Sequence, residues 1–277
     1  MKNVSKCSYK YEVHMHTAQS SACGITDGRD YIAEFKRLGY DGIIITDHFF
    51  HGNTRPSRSL PWPDYIDEFC KGYEVAKEEG DKQGLKVFFG WEENHHGDEY
   101  LVYGPDKEWL KKHPEIRDAD HVEYLRIIHE AGGLVVQCHP FRERDYLTDI
   151  YLHPYQCDAM EACNYGNPES QDILAYNFCK EHGIKMTSGT DLHDVSLLKG
   201  SCSGMLFEKP IETIFDYVNT IKSGKGYIPL IPDDRKVMRE DTVNINPITL
   251  FDENNIGTSV TLEDIFPKKL LENRIGA

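Results

Sequence analysis

Along most of the chain, short uninterrupted apolar runs alternate with stretches whose apolar residues recur every three to four positions. The runs of strand length fall at 9–16, 42–48, 86–92, 99–103, 133–139, 159–164 and 185–191. In the second, Ile43, Ile44 and Ile45 are consecutive, the pattern of a strand covered on both faces. Between the runs, 30–38 puts Ile32, Phe35 and Leu38 on one helical face, and 65–82 does the same with Ile66, Phe69, Tyr73 and Ala76. Further helices are predicted over 120–131, 171–182 and 211–222. Gly39, Gly84, Gly132 and Gly183 follow four of these helices, where a left-handed residue ends a helix. So regular a β-α alternation predicts an α/β fold with right-handed crossovers and a parallel sheet, closed into a barrel rather than left open.

Two stretches break the rhythm. Residues 51–63 (HGNTRPSRSLPWP) read as a long rim loop or lid, with Arg55 and Arg58 taken as solvated charges in preference to phosphate contacts. Residues 229–277 have weak periodicity and are read as a C-terminal extension packed on a main domain spanning 1–228. The chain of 277 residues, 39% hydrophobic and 28% charged, has the makeup of an ordinary globular protein. Its formal net charge of −15 argues against a long nucleic acid or an anionic membrane as partner, while a small anion can still be drawn into a locally positive pocket. No apolar stretch suits secretion or a membrane span, so a cytoplasmic location is expected. The eight cysteines form no CxxC pair, and most are read as reduced core thiols. No GxxxxGK loop or GxSxG elbow is present, which leaves nucleotide triphosphatase and serine hydrolase chemistry without support.

The candidate chemistry lies at the ends of the predicted strands. His14-Met15-His16 closes the first and Asp47-His48 the second; Glu92-Glu93 closes the third, with His95 and His96 just beyond. Asp98-Glu99 opens the fourth, His139 closes the fifth, the sixth holds Glu161 and Asn164, and the seventh leads into Asp191-Leu192-His193. In a β/α barrel the carboxyl ends of the strands share one rim, so ligand-type residues far apart in sequence converge there. His14 and His16 lie two apart and project to the same side of a strand, as do Asp191 and His193. That spacing lets one ion take both side chains of a pair, and the whole set points to a multinuclear metal site. The histidines His95, His96, His113, His121, His129, His153 and His182 are read as surface residues.

The motifs Glu12-Val-His14-Met-His16, Ile-Thr-Asp47-His48, Gly90-Trp-Glu92, His139-Pro140-Phe-Arg142 and Ser188-Gly-Thr-Asp191-Leu-His193, in this order, resemble those of the polymerase and histidinol phosphatase (PHP) family over residues 9–207. The resemblance implies a distorted seven-stranded β/α (TIM-like) barrel that hydrolyses phosphoesters with two or three divalent ions, zinc, manganese or iron. It implies that His14, His16 and Asp191 hold one ion, that Glu92 bridges it to a second on His139, and that His48 and His193 hold a third. Glu99 stands where the family usually has a histidine, and a carboxylate ligand there favours a harder metal such as manganese or iron. Relatives often carry His or Asp a few residues after the first motif; Ser20, Ser21, Ala22 and Cys23 stand here, so the third ion is expected to be weak, absent or completed by substrate and water. Cys23 is read as a buried thiol in preference to a ligand. Glu12, in place of the family's Asp, is assigned to orienting a ligating imidazole.

The implied activity is attack on phosphorus by a metal-bound hydroxide, with Glu92, Asp191 and His193 as catalytic residues and a small phosphorylated metabolite as substrate. Arg142 is a candidate phosphate clamp, with a rim salt bridge to Glu143 or Asp145 as the alternative. Asn164 and His51 are the other candidate substrate contacts. Three readings stay open beside this one: hydrolysis of an oligonucleotide end, amidohydrolase-like C–N hydrolysis, and a metal-binding domain without catalysis. No lysine stands at a predicted strand end to serve the second of these.

Overall fold

The computed structural model describes residues 6–198, 203–272 and 274. In chain order the strands are β1 (Tyr9–Glu12), β2 (Gly42–Ile45), β3 (Lys86–His95), β4 (Asp98–Tyr103), β5 (Leu134–Gln137), β6 (Ile150–Leu152), β7 (Ala159–Asn164), β8 (Met186–Gly189), β9 (Met205–Phe207), β10 (Tyr227–Pro229), β11 (Ile248–Phe251) and β12 (Gly257–Val260). The helices are α1 (Asp30–Arg37), α2 (Trp62–Phe69), α3 (Lys71–Gln83), α4 (Lys107–Lys112), α5 (His121–Glu130), α6 (Glu169–His182), α7 (Ile214–Ser223), α8 (Leu262–Ile265) and α9 (Lys268–Glu272).

Nine strands form one sheet in the order β10-β9-β1-β2-β3-β4-β5-β7-β8. The sheet curls until the segment after β8 meets the segment after β1. There Asp191 N–H donates to the His14 carbonyl at 2.9 Å, and His16 N–H to that of Leu192 at 2.8 Å. The result is a nearly closed α/β barrel, as expected, with β9 and β10 added to the seven anticipated strands by antiparallel pairing beside β1. The all-parallel expectation is corrected at β4, which runs antiparallel to both β3 and β5. Only His96 and Gly97 join β3 to β4, both at positive φ (57° and 103°), and two residues make a hairpin but never a crossover. The amino end of β4 therefore reaches the rim on which the parallel strands end, carrying Glu99 with it.

Both faces of β2 are buried. Ile44 joins the inner cluster with Val13, Leu101 and Val136, whereas Ile43 and Ile45 pack outward with Tyr31, Ile32 and Phe35 of α1. Each is 1% exposed or less, a burial that stabilises by about 1.5–3 kcal/mol per side chain. Tyr217, Val218 and Ile221 of α7 complete the inner cluster. The single helix expected over 65–82 is two, α2 and α3. The Ser20 hydroxyl accounts for the break, donating to the Phe69 carbonyl at 2.6 Å and accepting from Gly72 N–H at 3.2 Å within the helical ladder.

β11 pairs in parallel with β6 and antiparallel with β12. Ile231, Met238, Ile248, Leu262 and Phe266 pack with Ile173, Leu174 and Phe178 of α6. The Arg235 guanidinium donates to the buried Asp172 carboxylate on α6 and, at 3.2 Å, to the Asn164 carbonyl. Arg235→Ala strands that carboxylate and should lower stability by about 3–5 kcal/mol in urea unfolding.

Three of the histidines expected at the surface are not there. His121 lies 4.5 Å from His153 and 5.3 Å from His95, ring to ring, and His153 stacks on Phe251 at 4.1 Å. Burial pushes all three down to about 4. Cys7, Cys70, Cys138, Cys163 and Cys179 are buried free thiols and Cys23 and Cys157 are half-buried, while Cys202 lies outside the described residues.

Candidate metal centre

The rim residues converge as their strand positions dictate. After β1, the Glu12 carboxylate accepts from Val13 N–H and His14 N–H, both at 3.0 Å, and ends regular pairing. The chain stays extended, so Met15 packs outward while His14 and His16 face the barrel axis. Gly189 lets β8 pass beneath them, since a Cβ there would lie 2.5 Å from that of His14. On β3 the alternation turns Glu92 inward and Glu93 outward. Glu99 faces inward with Glu92 because its cross-strand partner, Asn94, is two residues from Glu92.

Glu92 is fully buried and its two oxygens serve different imidazoles. Oε1 lies 3.4 Å from His14 Nε2 and 3.1 Å from His139 Nε2; Oε2 lies 3.4 Å from His16 Nε2 and 2.7 Å from His48 Nδ1. Asp191 Oδ1 lies 3.0 Å from His16 Nε2, 3.5 Å from His14 Nε2 and 3.6 Å from His193 Nδ1. Glu99 stands 3.5 Å from His139 and 4.0 Å from His48.

In the neutral rings of His14, His16 and His193 the surrounding residues fix which nitrogen carries the proton. His14 Nδ1–H donates to Glu161 at 2.9 Å, since a carboxylate only accepts, which leaves Nε2 as a lone pair. The Ser21 hydroxyl donates to Asp47 at 2.6 Å and so accepts from His16 Nδ1–H at 3.2 Å, again leaving Nε2 free. His193 Nδ1–H donates to the Asp191 carbonyl at 2.8 Å. His14 Nε2, His16 Nε2, His48 Nδ1, Glu92 Oε2 and Asp191 Oδ1 are buried and face one another without a well-aligned hydrogen bond. Each such atom costs about 1–3 kcal/mol if nothing fills the site, so five converging atoms fit a metal-binding centre.

Charge follows the same logic. Burial raises Glu92 and Asp191, but His48 and His14 beside Glu92, and Arg142 and His14 beside Asp191, outweigh it and hold both carboxyls well below the usual range. Burial and the neighbouring Glu92 push Glu99 up. Burial raises the Cys23 thiol too, yet His193 and His48 outweigh it and bring it down to about 6.

His139 and Asp191 have φ of 31° and 53°, a left-handed conformation that non-glycine residues avoid and that gathers at functional sites. Their N–H groups are held by Glu161 at 3.1 Å and by the His14 carbonyl at 2.9 Å. Arg142 donates to Asp191 and, at 3.1 Å, to Asn167, and lies 3.6 Å from Glu99. It is not paired with Glu143, whose carboxylate accepts the Ile245 and Asn246 N–H groups. Beside the cluster is a cavity of about 540 Å³, lined by Arg142, Arg144, Tyr165, His193 and Leu198 among others.

Three expected roles are corrected. His51 is not brought to the cluster, because its ring turns to Glu93 (3.5 Å) on the outer face of β3. Asn164 is fully buried and its amide is taken up by Glu161 at 2.9 Å and Gly166 N–H at 3.0 Å, so it braces a carboxylate and is closed to substrate. Glu12 holds the backbone N–H groups of Val13, His14 and Thr190, and the residue that orients an imidazole is Glu161. Glu161→Gln should weaken metal binding about 10–100-fold by competition with a chelating dye, with little change in fold. Arg58 donates to the Phe50 and Gly52 carbonyls at 2.5 and 2.6 Å and stiffens its own loop.

No protein-family model and no curated protein matches the chain. Solved structures do. A two-domain protein of Bacteroides vulgatus containing a predicted PHP-like metal-dependent phosphoesterase superposes with a TM-score of 0.58 at 15% identity, over 77% of this chain and 63% of that one. This chain thus spans less than two thirds of that protein. A protein of Bifidobacterium adolescentis proposed to be a metal-dependent phosphoesterase matches at 0.51 and 17% identity, over 78% of this chain and 96% of its own. Endonuclease Q, solved with a 27-mer duplex bearing an abasic lesion at its active site, matches at 0.52 and 16% identity, over 92% and 65%. The chain has the fold of the PHP-like phosphoesterases, the fold its motifs imply. No helix among the described residues is long and apolar enough to cross a membrane.

Proposed function

We propose that this chain is a metal-dependent phosphoesterase acting on a small phosphomonoester. The observation that carries the reading is the convergence of five buried, unpartnered ligand atoms on one point of the barrel rim. In this reading His14, His16 and Asp191 hold one divalent ion, Glu92 bridges to a second on His139 and Glu99, and His48 and His193 hold a third. Zinc, manganese or iron bound there supplies an activated water and neutralises charge on the phosphoryl oxygens.

The chain's own residues do the rest. Glu161, Ser21 and the Asp191 carbonyl each keep a proton on the Nδ1 of a ligating ring, so that the opposite nitrogen stays a donor pair. Arg142, steadied through Nε by Asn167 and paired through its terminal nitrogens with Asp191 and Glu99, lines the cavity, where a phosphate would compete with those carboxylates for its charge-assisted hydrogen bonds. Leu197 and Leu198 give that cavity an apolar wall suited to the remainder of a small substrate. Arg142→Ala should raise KM for a phosphomonoester about 10–100-fold, the worth of about 1.5–3 kcal/mol of charged hydrogen bonding, at unchanged metal content.

The fold of endonuclease Q supports a second reading, cleavage of nucleic acid, which the net charge of −15 opposes. One experiment addresses both. Chelator-stripped protein is reloaded with zinc, manganese or iron and offered sugar, amino-alcohol and nucleotide phosphates beside a duplex with an abasic site. The expected result is metal-dependent phosphate release from a small phosphomonoester. Cleavage of the duplex alone, or no turnover with any metal, would contradict it.

A further inference from the structure

We propose that Arg144 reads a second acidic group on the substrate, a carboxylate or a phosphate set apart from the phosphoryl group that is cleaved. This rests on the phosphomonoesterase reading above and narrows its substrate to compounds with two anionic ends.

In a chain of net charge −15 a guanidinium has no shortage of carboxylates to pair with, yet Arg144 forms no ion pair among the described residues. Its Nη1 donates to the Glu143 carbonyl at 2.7 Å and reaches Gln171 Oε1 at 3.5 Å, and its Nη2 donates to Asn167 Oδ1 at 3.2 Å. All three acceptors are neutral. The acidic residues on either side of it are turned elsewhere. Glu143 gives its carboxylate to the Ile245 and Asn246 N–H groups of the C-terminal extension, and Asp145 is exposed. A guanidinium carries five N–H donors, so at least two of Arg144's remain for an incoming anion.

The side chain is nonetheless held in place, and held beside the site. Asn167 is buried, and its Oδ1 accepts from Arg142 Nε at 3.1 Å as well as from Arg144, so one amide oxygen sets the two guanidiniums side by side. Leu147 N–H donates to the Arg144 carbonyl at 2.9 Å and closes the turn that carries it. Both guanidiniums line the cavity of about 540 Å³ beside the metal cluster, with different partners. Arg142 is paired with Asp191 and faces Glu99, both in the cluster, whereas Arg144 has neutral partners only. Burial and the neighbouring Arg142 pull Arg144 below the ordinary arginine range, a cost that a bound anion relieves. Leu192, Leu197 and Leu198 line the same cavity and suit the apolar body that joins the two acidic ends.

The test uses the metal-loaded full chain, native, Arg144→Gln and Arg144→Lys, with short linear alkyl phosphates that end in a methyl, a carboxylate or a second phosphate. The readout is the ratio of kcat/KM for an acid-ended ester to that for the methyl-ended ester of the same length; the two acids tell carboxylate from phosphate. Calorimetric binding of the matching phosphonates, which are not hydrolysed, gives the same ratio without turnover. The native chain should favour one acid-ended series by about 10–100-fold, the worth of a charged hydrogen-bond pair. Arg144→Gln should bring that ratio close to one through KM, at native metal content, and Arg144→Lys should keep part of it. A native chain without the preference, or Arg144→Gln losing all three esters equally so that the ratio survives, would overturn the proposal and leave the phosphoesterase reading intact. Selective phosphonate binding that is lost in Arg144→Gln, with no ester hydrolysed by any chain, would keep the Arg144 subsite and contradict the phosphoesterase reading.

Discussion

Replacing Glu92 by Ala is expected to abolish phosphate release, by about a thousand-fold or more, and to strip the protein of metal. The size follows from position. Glu92 Oε1 faces His14 and His139 while Oε2 faces His16 and His48, so one substitution removes the anion that both halves of the cluster share. Loss of a single preorganised group beside a reacting centre costs about a hundred- to a thousand-fold, and here the loss also uncouples the metal positions. The adjacent residue supplies the control. Glu93 is equally buried but points the other way, toward His51, so Glu93→Gln should keep both metal and turnover. Equal loss in the two variants would mean general damage to β3 rather than loss of a bridge.

Chelation is expected to lower the melting temperature by roughly 10 °C, measured by calorimetry on the same preparation with and without a saturating divalent ion. Without metal, five buried ligand atoms have no partner and the carboxylates of Glu92 and Glu99 stand close to each other. A ligand present at a thousand times its dissociation constant stabilises the folded state by about 4 kcal/mol, and each kcal/mol moves the midpoint of a domain this size by about 2–4 °C. The sign is the informative part, because ions that bound the unfolded chain preferentially would lower the midpoint, so that chelation would raise it.

Much of the centre was legible because its residues occupy strand ends, where the side-chain period is fixed and the rim is shared. His14, His16, His48, Glu92, Glu99, His139, Asp191 and His193 are read from that rule and meet in the structure. The same rule, carried one step further, separates Glu92 from Glu93 and would have removed His51 from the candidates. The direction of β4 hung on treating His96-Gly97 as a two-residue turn, a signal that the regular β-α rhythm masked. Glu161 and Glu12 both sit on strands near imidazoles, and only the long-range contact of Glu161 with His14, 147 residues away, tells which one touches a ring. The left-handed backbone of His139 and Asp191 leaves no trace in composition.

The central claim is that dispersed imidazoles and carboxylates share cations at one mouth of the barrel. Anomalous diffraction from crystals grown with zinc or manganese and no chelator tests it most directly. Peaks should appear within coordination distance of His14, His16, His139 and Asp191, two of them about 3.5 Å apart with the Glu92 carboxylate between. Anomalous density confined to surface carboxylates, with this cluster dark at full metal concentration, would contradict the account.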